Sequence, residues 1–105
     1  MDELLKKVQL FREERGWDKF HSPKNLAMAL VVEVAELAEH FQWLSEEESR
    51  NISKEKLLKV KDEIGDVLIY LVNLADKLGL DPVLAAHDKI VKNSEKYPVV
   101  RCDKI

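Results

Sequence analysis

The sequence predicts an all-α fold, a four-helix bundle completed by homo-oligomerisation. Three observations carry this expectation. Apolar residues recur at helical spacing in four segments, no segment alternates with the period of a strand, and Ser, Asp, Pro and Gly stand where those segments begin and end. The 105 residues read as a single domain, 1–105, without repeats or low-complexity stretches.

The first helix is expected from Asp2 to about Arg15, because Leu4, Leu5, Val8 and Phe11 fall on one side and Gly16 can stop it. A connection, WDKFHSPKN, follows; Ser22 is placed to cap a second helix and Pro23 to occupy its first turn, with the helix running to about Gln42. In LSEEESRNIS, Ser45 and Glu48 have the spacing of a capping box, in a segment polar enough to be a loop. Ser53 caps a long third helix that Gly79 closes. Asp81 and Pro82 open a fourth helix that extends to about Lys96 and ends before Pro98.

The two central helices are apolar around more than one stripe, over Leu26 to Val32 and Ile64 to Ala75. A surface helix needs only one apolar face, so these require cover on two sides. Self-association, as a homodimer or a dimer of dimers, supplies it.

Composition excludes several function classes. A hydrophobic fraction of 46% alongside a charged fraction of 35% fits amphipathic helices rather than a disordered chain. A net charge of -3 with mixed signs offers no basic surface for polymeric nucleic acid. No apolar run reaches the roughly 18 residues needed to span a bilayer. The start, MDELLKKVQLF, lacks the features of a signal peptide, so the expected compartment is cytoplasmic. The single cysteine, Cys102, can form neither an intrachain disulfide nor a thiolate metal cluster.

Against this background, EVAELAEH (33–40) places acids inside an apolar helix. Glu33, Glu36 and His40 share a face from which Glu39 diverges; Glu63, Asp66 and Tyr70 share a face of the third helix. If the two helices pack against each other, four carboxylates converge. Ionised carboxylates brought together away from water repel, and a cation between them removes the cost. An all-oxygen set suits Mg²⁺, with Mn²⁺ as a substitute, whereas zinc prefers nitrogen or sulfur. A di-iron bundle would use Glu-x-x-His pairs, and the residues three before His21, His40 and His87 are Asp18, Leu37 and Leu84. Mg²⁺ is commonly completed by substrate phosphates, which points to phosphate chemistry. The bland reading of either acidic pair is a solvated helix face.

WDKFHSPKNL, EVAELAEHFQW, DEIGDVLIYLV and KIVKNSEKYP, taken in order, resemble the MazG-like all-α nucleotide pyrophosphohydrolases, most closely the small deoxycytidine triphosphate pyrophosphatase branch. The resemblance spans Trp17 to Pro98. It implies that Glu33, Glu36, Glu63 and Asp66 hold magnesium, and that the reaction splits a nucleoside triphosphate between its α and β phosphates, giving the monophosphate and pyrophosphate. It implies that Trp17 and Trp43 pack around the nucleoside, that Tyr70 lines the same site, and that Lys89 and Asn93 face the nucleotide. The proton of the attacking water would go to Glu33 or Glu36.

Some residues read differently without that likeness. Both tryptophans would be structural, and His21 would hydrogen-bond near the start of the second helix rather than contact nucleotide. Lys92 and Lys96 would complement the helix C-terminus. Deoxycytidine-selective relatives often carry a histidine on the first helix, where this chain has Val8, so the resemblance does not fix the base; the connection between Trp43 and Ser53 is also short. Substrates thus range over deoxycytidine triphosphate, modified cytidine nucleotides or a broader set. The rival readings are a relative acting on another substrate such as phosphoribosyl-ATP, and a non-catalytic helical oligomeric interaction module.

Overall fold

A computed structural model describes residues 1–99; Cys102 lies outside the described residues. Five α-helices follow one another: α1 (Asp2–Glu14), α2 (Pro23–Glu39), α3 (Glu46–Arg50), α4 (Lys54–Lys77) and α5 (Pro82–Lys96). A single 3-10 turn, Asp18–Phe20, lies in the connection after α1. Among the described residues there is no strand.

Local chemistry fixes most of the boundaries. The side chains of Ser22, Ser45, Ser53 and Asp81 accept hydrogen bonds from backbone N–H groups of the helices that follow them. Ser45 and Glu48 form a reciprocal capping box, so the polar segment expected as a loop or short turn is helical. Gly16 and Gly79 take φ of 64° and 70°, the left-handed region where a side chain is strained. Around each, two bonds reach back over the helix end: Trp17 N–H to Arg12 O and Gly16 N–H to Glu13 O, then Leu80 N–H to Ala75 O and Gly79 N–H to Asp76 O.

Helix α2 stops at Glu39, three residues before the expected end at Gln42. His40 N–H bonds to Leu37 O and Phe41 N–H to Ala38 O, each three residues back, and Gln42 N–H shares the Ala38 carbonyl, so the chain tightens into turns there.

Helix α4 is the centre of the molecule, packed along α2 and against α1. Val8, Leu26, Val60, Val72 and Ala75 form a small buried core. The two apolar stretches noted in the sequence give Leu26, Val72 and Ala75 to this core and leave others outside it: Met28, Val31 and Val32 on α2 and Ile64 on α4 are all more than half exposed. Helix α5 touches α4 and is exposed along nearly its whole length, including Leu84, Ile90 and Val91. The radius of gyration is 17.2 Å, against about 13 Å for a compact chain of this size. Three helices therefore pack within one chain, and α5 is held out from them.

Candidate active site

Packing of α2 on α4 brings acids from both helices together. One carboxylate oxygen each from Glu33, Glu36 and Glu63 lies within 4.8 Å of the others. Asp66 stands outside this trio, yet its charge acts on both Glu33 and Glu63. Desolvation, then repulsion from Glu36, Asp66 and Glu63, holds Glu33 above the ordinary carboxylate range. Glu63 is raised by the same effects, with His40 pulling the other way. His40 thus adjoins the cluster, one turn beyond Glu36.

The Oε2 atoms of Glu33 and Glu63 are buried and accept no hydrogen bond among the described residues. Buried acceptors normally have a donor, and two unanswered oxygens beside a third carboxylate fit a hard divalent cation.

Next to the acids opens a cavity of about 630 Å³. Asp66, Tyr70 and Asn73 line it from α4, Val8, Phe11 and Arg12 from α1, and Trp17, Phe20 and His21 from the intervening turn. Trp17 stands edge-on to Phe11 with ring centroids 5.5 Å apart, and its ring lies 6.1 Å from that of His21. The cavity therefore joins Trp17, His21 and Tyr70 to Asp66. Ser22 caps α2 as expected, whereas the buried Nδ1 of His21, expected to hydrogen-bond near the start of that helix, has no partner among the described residues. Desolvation, with the positive charges of Arg12 and Lys77, lowers the His21 pKa against the opposing effect of Asp18.

One residue that sequence reasoning passed over holds this wall in place. Arg12 is 7% exposed, and its Nη2 donates to Asp76 Oδ2 at 2.6 Å while Nη1 donates to Asn73 Oδ1 at 2.8 Å. Its Nε lies 2.8 Å from Asp18 Oδ1 but is poorly aligned for a hydrogen bond, so that contact is an ion pair. Lys77 Nζ donates to the same Asp18 oxygen at 3.1 Å and is the largest influence lowering the Asp18 pKa. These contacts tie the Asp18–Phe20 turn, and with it Trp17 and His21, to α1 and α4.

Other expected site residues are elsewhere. Trp43 follows α2, 87% exposed and outside the cavity, which removes it from the core of this chain. Lys89 and Asn93 lie on exposed α5 and do not line the cavity. Within one chain, then, the carboxylates and the aromatic cavity are adjacent, and the polar face of α5 is not among them.

The MazG-like family model matches residues 28–105, which include both acidic pairs. The chain belongs to the MazG-like family. A pyrophosphatase from Archaeoglobus fulgidus of known crystal structure superimposes with a TM-score of 0.88 at 46% identity, covering 93% of this chain and 92% of that one. Curated relatives include dCTP pyrophosphatase 1 of Homo sapiens, 44% identical over 90 residues (84% of this chain, 53% of the relative), and that of Rattus norvegicus, 44% over 91 residues (85% and 54%). The chain spans about half the length of these curated relatives.

The MazG-like match and the all-α architecture agree, and in this MazG-like chain the acids occupy the α2–α4 contact. No helix among the described residues is long and apolar enough to cross a membrane.

Proposed function

We propose that this chain is a Mg²⁺-dependent nucleoside triphosphate pyrophosphohydrolase, acting on deoxycytidine triphosphate or modified cytidine nucleotides and releasing the monophosphate and pyrophosphate. The observation that carries this reading is the cluster of Glu33, Glu36 and Glu63, with unanswered buried oxygens, beside an aromatic cavity large enough for a nucleoside. Relatives named dCTP pyrophosphatase support the substrate class.

Glu33, Glu36, Glu63 and Asp66 would hold Mg²⁺ or Mn²⁺. When bound, the cation supplies electrophilic assistance, neutralising charge that builds on the phosphoryl oxygens. Water attacks one of the two phosphorus atoms that flank the α–β bridging oxygen, the bond from that phosphorus to the bridge breaks, and the monophosphate and pyrophosphate part. Glu33 or Glu36 accepts the proton of that water. Trp17 and Tyr70 flank the nucleoside, and His21 contacts it from the same wall.

The exposed apolar faces of α2, α4 and α5 are the basis for self-association as a homodimer or a dimer of dimers. In that assembly a second copy brings Lys89, Asn93 and Trp43 to the nucleotide. We place the enzyme in the cytoplasm, serving the nucleotide pool, with no role for membranes or polymeric nucleic acid.

Glu63→Gln tests the assignment, because it preserves shape and deletes ligand charge. It should keep its helical circular dichroism and lose most hydrolysis of deoxycytidine triphosphate. Undiminished turnover at saturating Mg²⁺ would sink the four-carboxylate site.

A further inference from the structure

Asn73 is 4% exposed, borders the cavity and sits between Val72 and Leu74 in an otherwise apolar run of α4. Chemistry determines which way its amide points. Arg12 Nη1 donates to Asn73 Oδ1, and a guanidinium has no acceptor to offer the amide nitrogen, so Nδ2 is turned away from Arg12. Among the described residues Nδ2 donates to no acceptor. Asn73 lines the cavity, so with Oδ1 held by Arg12 the amide N–H is the polar group that this side chain can offer to a molecule bound there.

Helix α4 also sets how far this donor lies from the acids. Glu63, Asp66, Tyr70 and Asn73 follow at spacings of three, four and three, along one face. Asp66 and Asn73 are seven residues apart, about 10 Å along the axis. That separation is comparable to the reach from a 5′-phosphate to the far edge of a nucleobase.

We propose that Asn73 reads the base, with its Nδ2 donating to N3 of cytosine, and that Arg12 is the positioning residue that fixes the amide. The inference deepens the pyrophosphohydrolase reading and rests on it for the direction in which the nucleotide lies. All three pyrimidines share the O2 acceptor, but at N3 cytosine accepts a hydrogen bond whereas uracil and thymine donate one. A donor held rigid by Arg12 therefore selects cytosine, on a wall where Val8 offers no polar group.

Asn73→Asp keeps an oxygen for Arg12 and turns the donor facing the cavity into an acceptor. Calorimetric binding of deoxycytidine and deoxyuridine monophosphates to the full chain, in chelator, reads the base pocket without hydrolysis. The wild type should prefer the cytidine nucleotide by roughly tenfold or more, and the variant should lose or reverse that preference. An unchanged ratio would overturn the assignment. If the variant fails to fold, the side-chain amide signal of Asn73 in the ¹⁵N-labelled wild type serves instead: a larger shift with deoxycytidine monophosphate than with deoxyribose 5-phosphate supports the assignment, and equal shifts refute it. Hydrolysis is assayed separately with Mg²⁺. No turnover of deoxycytidine triphosphate alongside a ratio that moves in Asn73→Asp would refute the hydrolytic reading while supporting the role of Asn73.

Discussion

Arg12 on α1 and Asp76 on α4 are joined by a 2.6 Å charged hydrogen bond, 64 residues apart in sequence. Gln9 also donates to Asp76, at 3.2 Å. Burial alone would raise the Asp76 pKa; the hydrogen bonds from Arg12 and Gln9 and the nearby positive charge outweigh it and leave the pKa lowered. This pair closes α1 onto α4 behind the cavity.

Asp76→Asn should cost about 1–3 kcal/mol of stability at neutral pH, the ordinary worth of a charged hydrogen bond in a half-buried setting. The sign of the pH dependence follows from the lowered pKa. The contribution is present above the ordinary carboxylate value of 3.8 and is lost as pH falls through the lower folded value. Denaturant unfolding of wild type and variant should thus converge below that range; a gap of equal size at pH 7 and in strong acid would contradict the account.

The acidic cluster has the opposite sign. Glu33 and Glu63 are raised, so their favourable contribution is present below the ordinary carboxylate range and disappears as pH rises through their folded values. In chelator at pH 7, Glu63→Gln should be at least as stable as the wild type. Mg²⁺ should then raise the wild-type Tm by several degrees and leave the variant nearly unmoved, as binding to the folded state alone requires. Equal responses in a thermal scan would place the cation elsewhere.

Trp17→Ala should weaken nucleotide binding at least tenfold through loss of the aromatic wall, with a smaller effect on kcat, because an indole neither holds the cation nor takes the proton of the attacking water. Steady-state kinetics on deoxycytidine triphosphate separates the two; an effect confined to kcat would assign Trp17 to the chemistry instead.

A second copy has a test of its own. Lys89→Ala and Glu63→Gln, each weakly active alone, should regain activity when mixed and allowed to exchange, since one shared site then has an intact set from both chains. Mixtures no better than their components, in a protein whose chains do exchange, would mean that Lys89 serves no site across a subunit contact.

Much of the fold was legible because its punctuation is local. Ser22 with Pro23, Ser53, Asp81 with Pro82, and Gly79 each act on backbone within a few residues, so the sequence alone places those ends. The Asp18–Phe20 turn was not legible, since it is anchored by Arg12 and by Lys77, 59 residues away. The early end of α2 belongs to turn bonding at His40 and Phe41, to which no Pro or Gly gives notice. At the site, Glu33, Glu36 and Glu63 were readable from helical phase and meet in space, while Asp66 stands slightly apart. Asn73 was missed, although a polar residue continuing the Glu63, Asp66 and Tyr70 stripe inside VNLA was a signal that could have found it. Trp43 and α5 could not be placed from the sequence, because what the apolar surface packs against is not encoded in spacing.

The most direct measurement incubates the protein with ordinary and modified nucleoside triphosphates and phosphoribosyl-ATP, with Mg²⁺ or with chelator, and identifies the products by chromatography. The account predicts nucleoside monophosphate and pyrophosphate, only with the metal, and fastest from cytidine deoxynucleotides. Diphosphate and phosphate would contradict the position of the cut, and no turnover of any substrate would contradict an enzymatic role for the acids between α2 and α4.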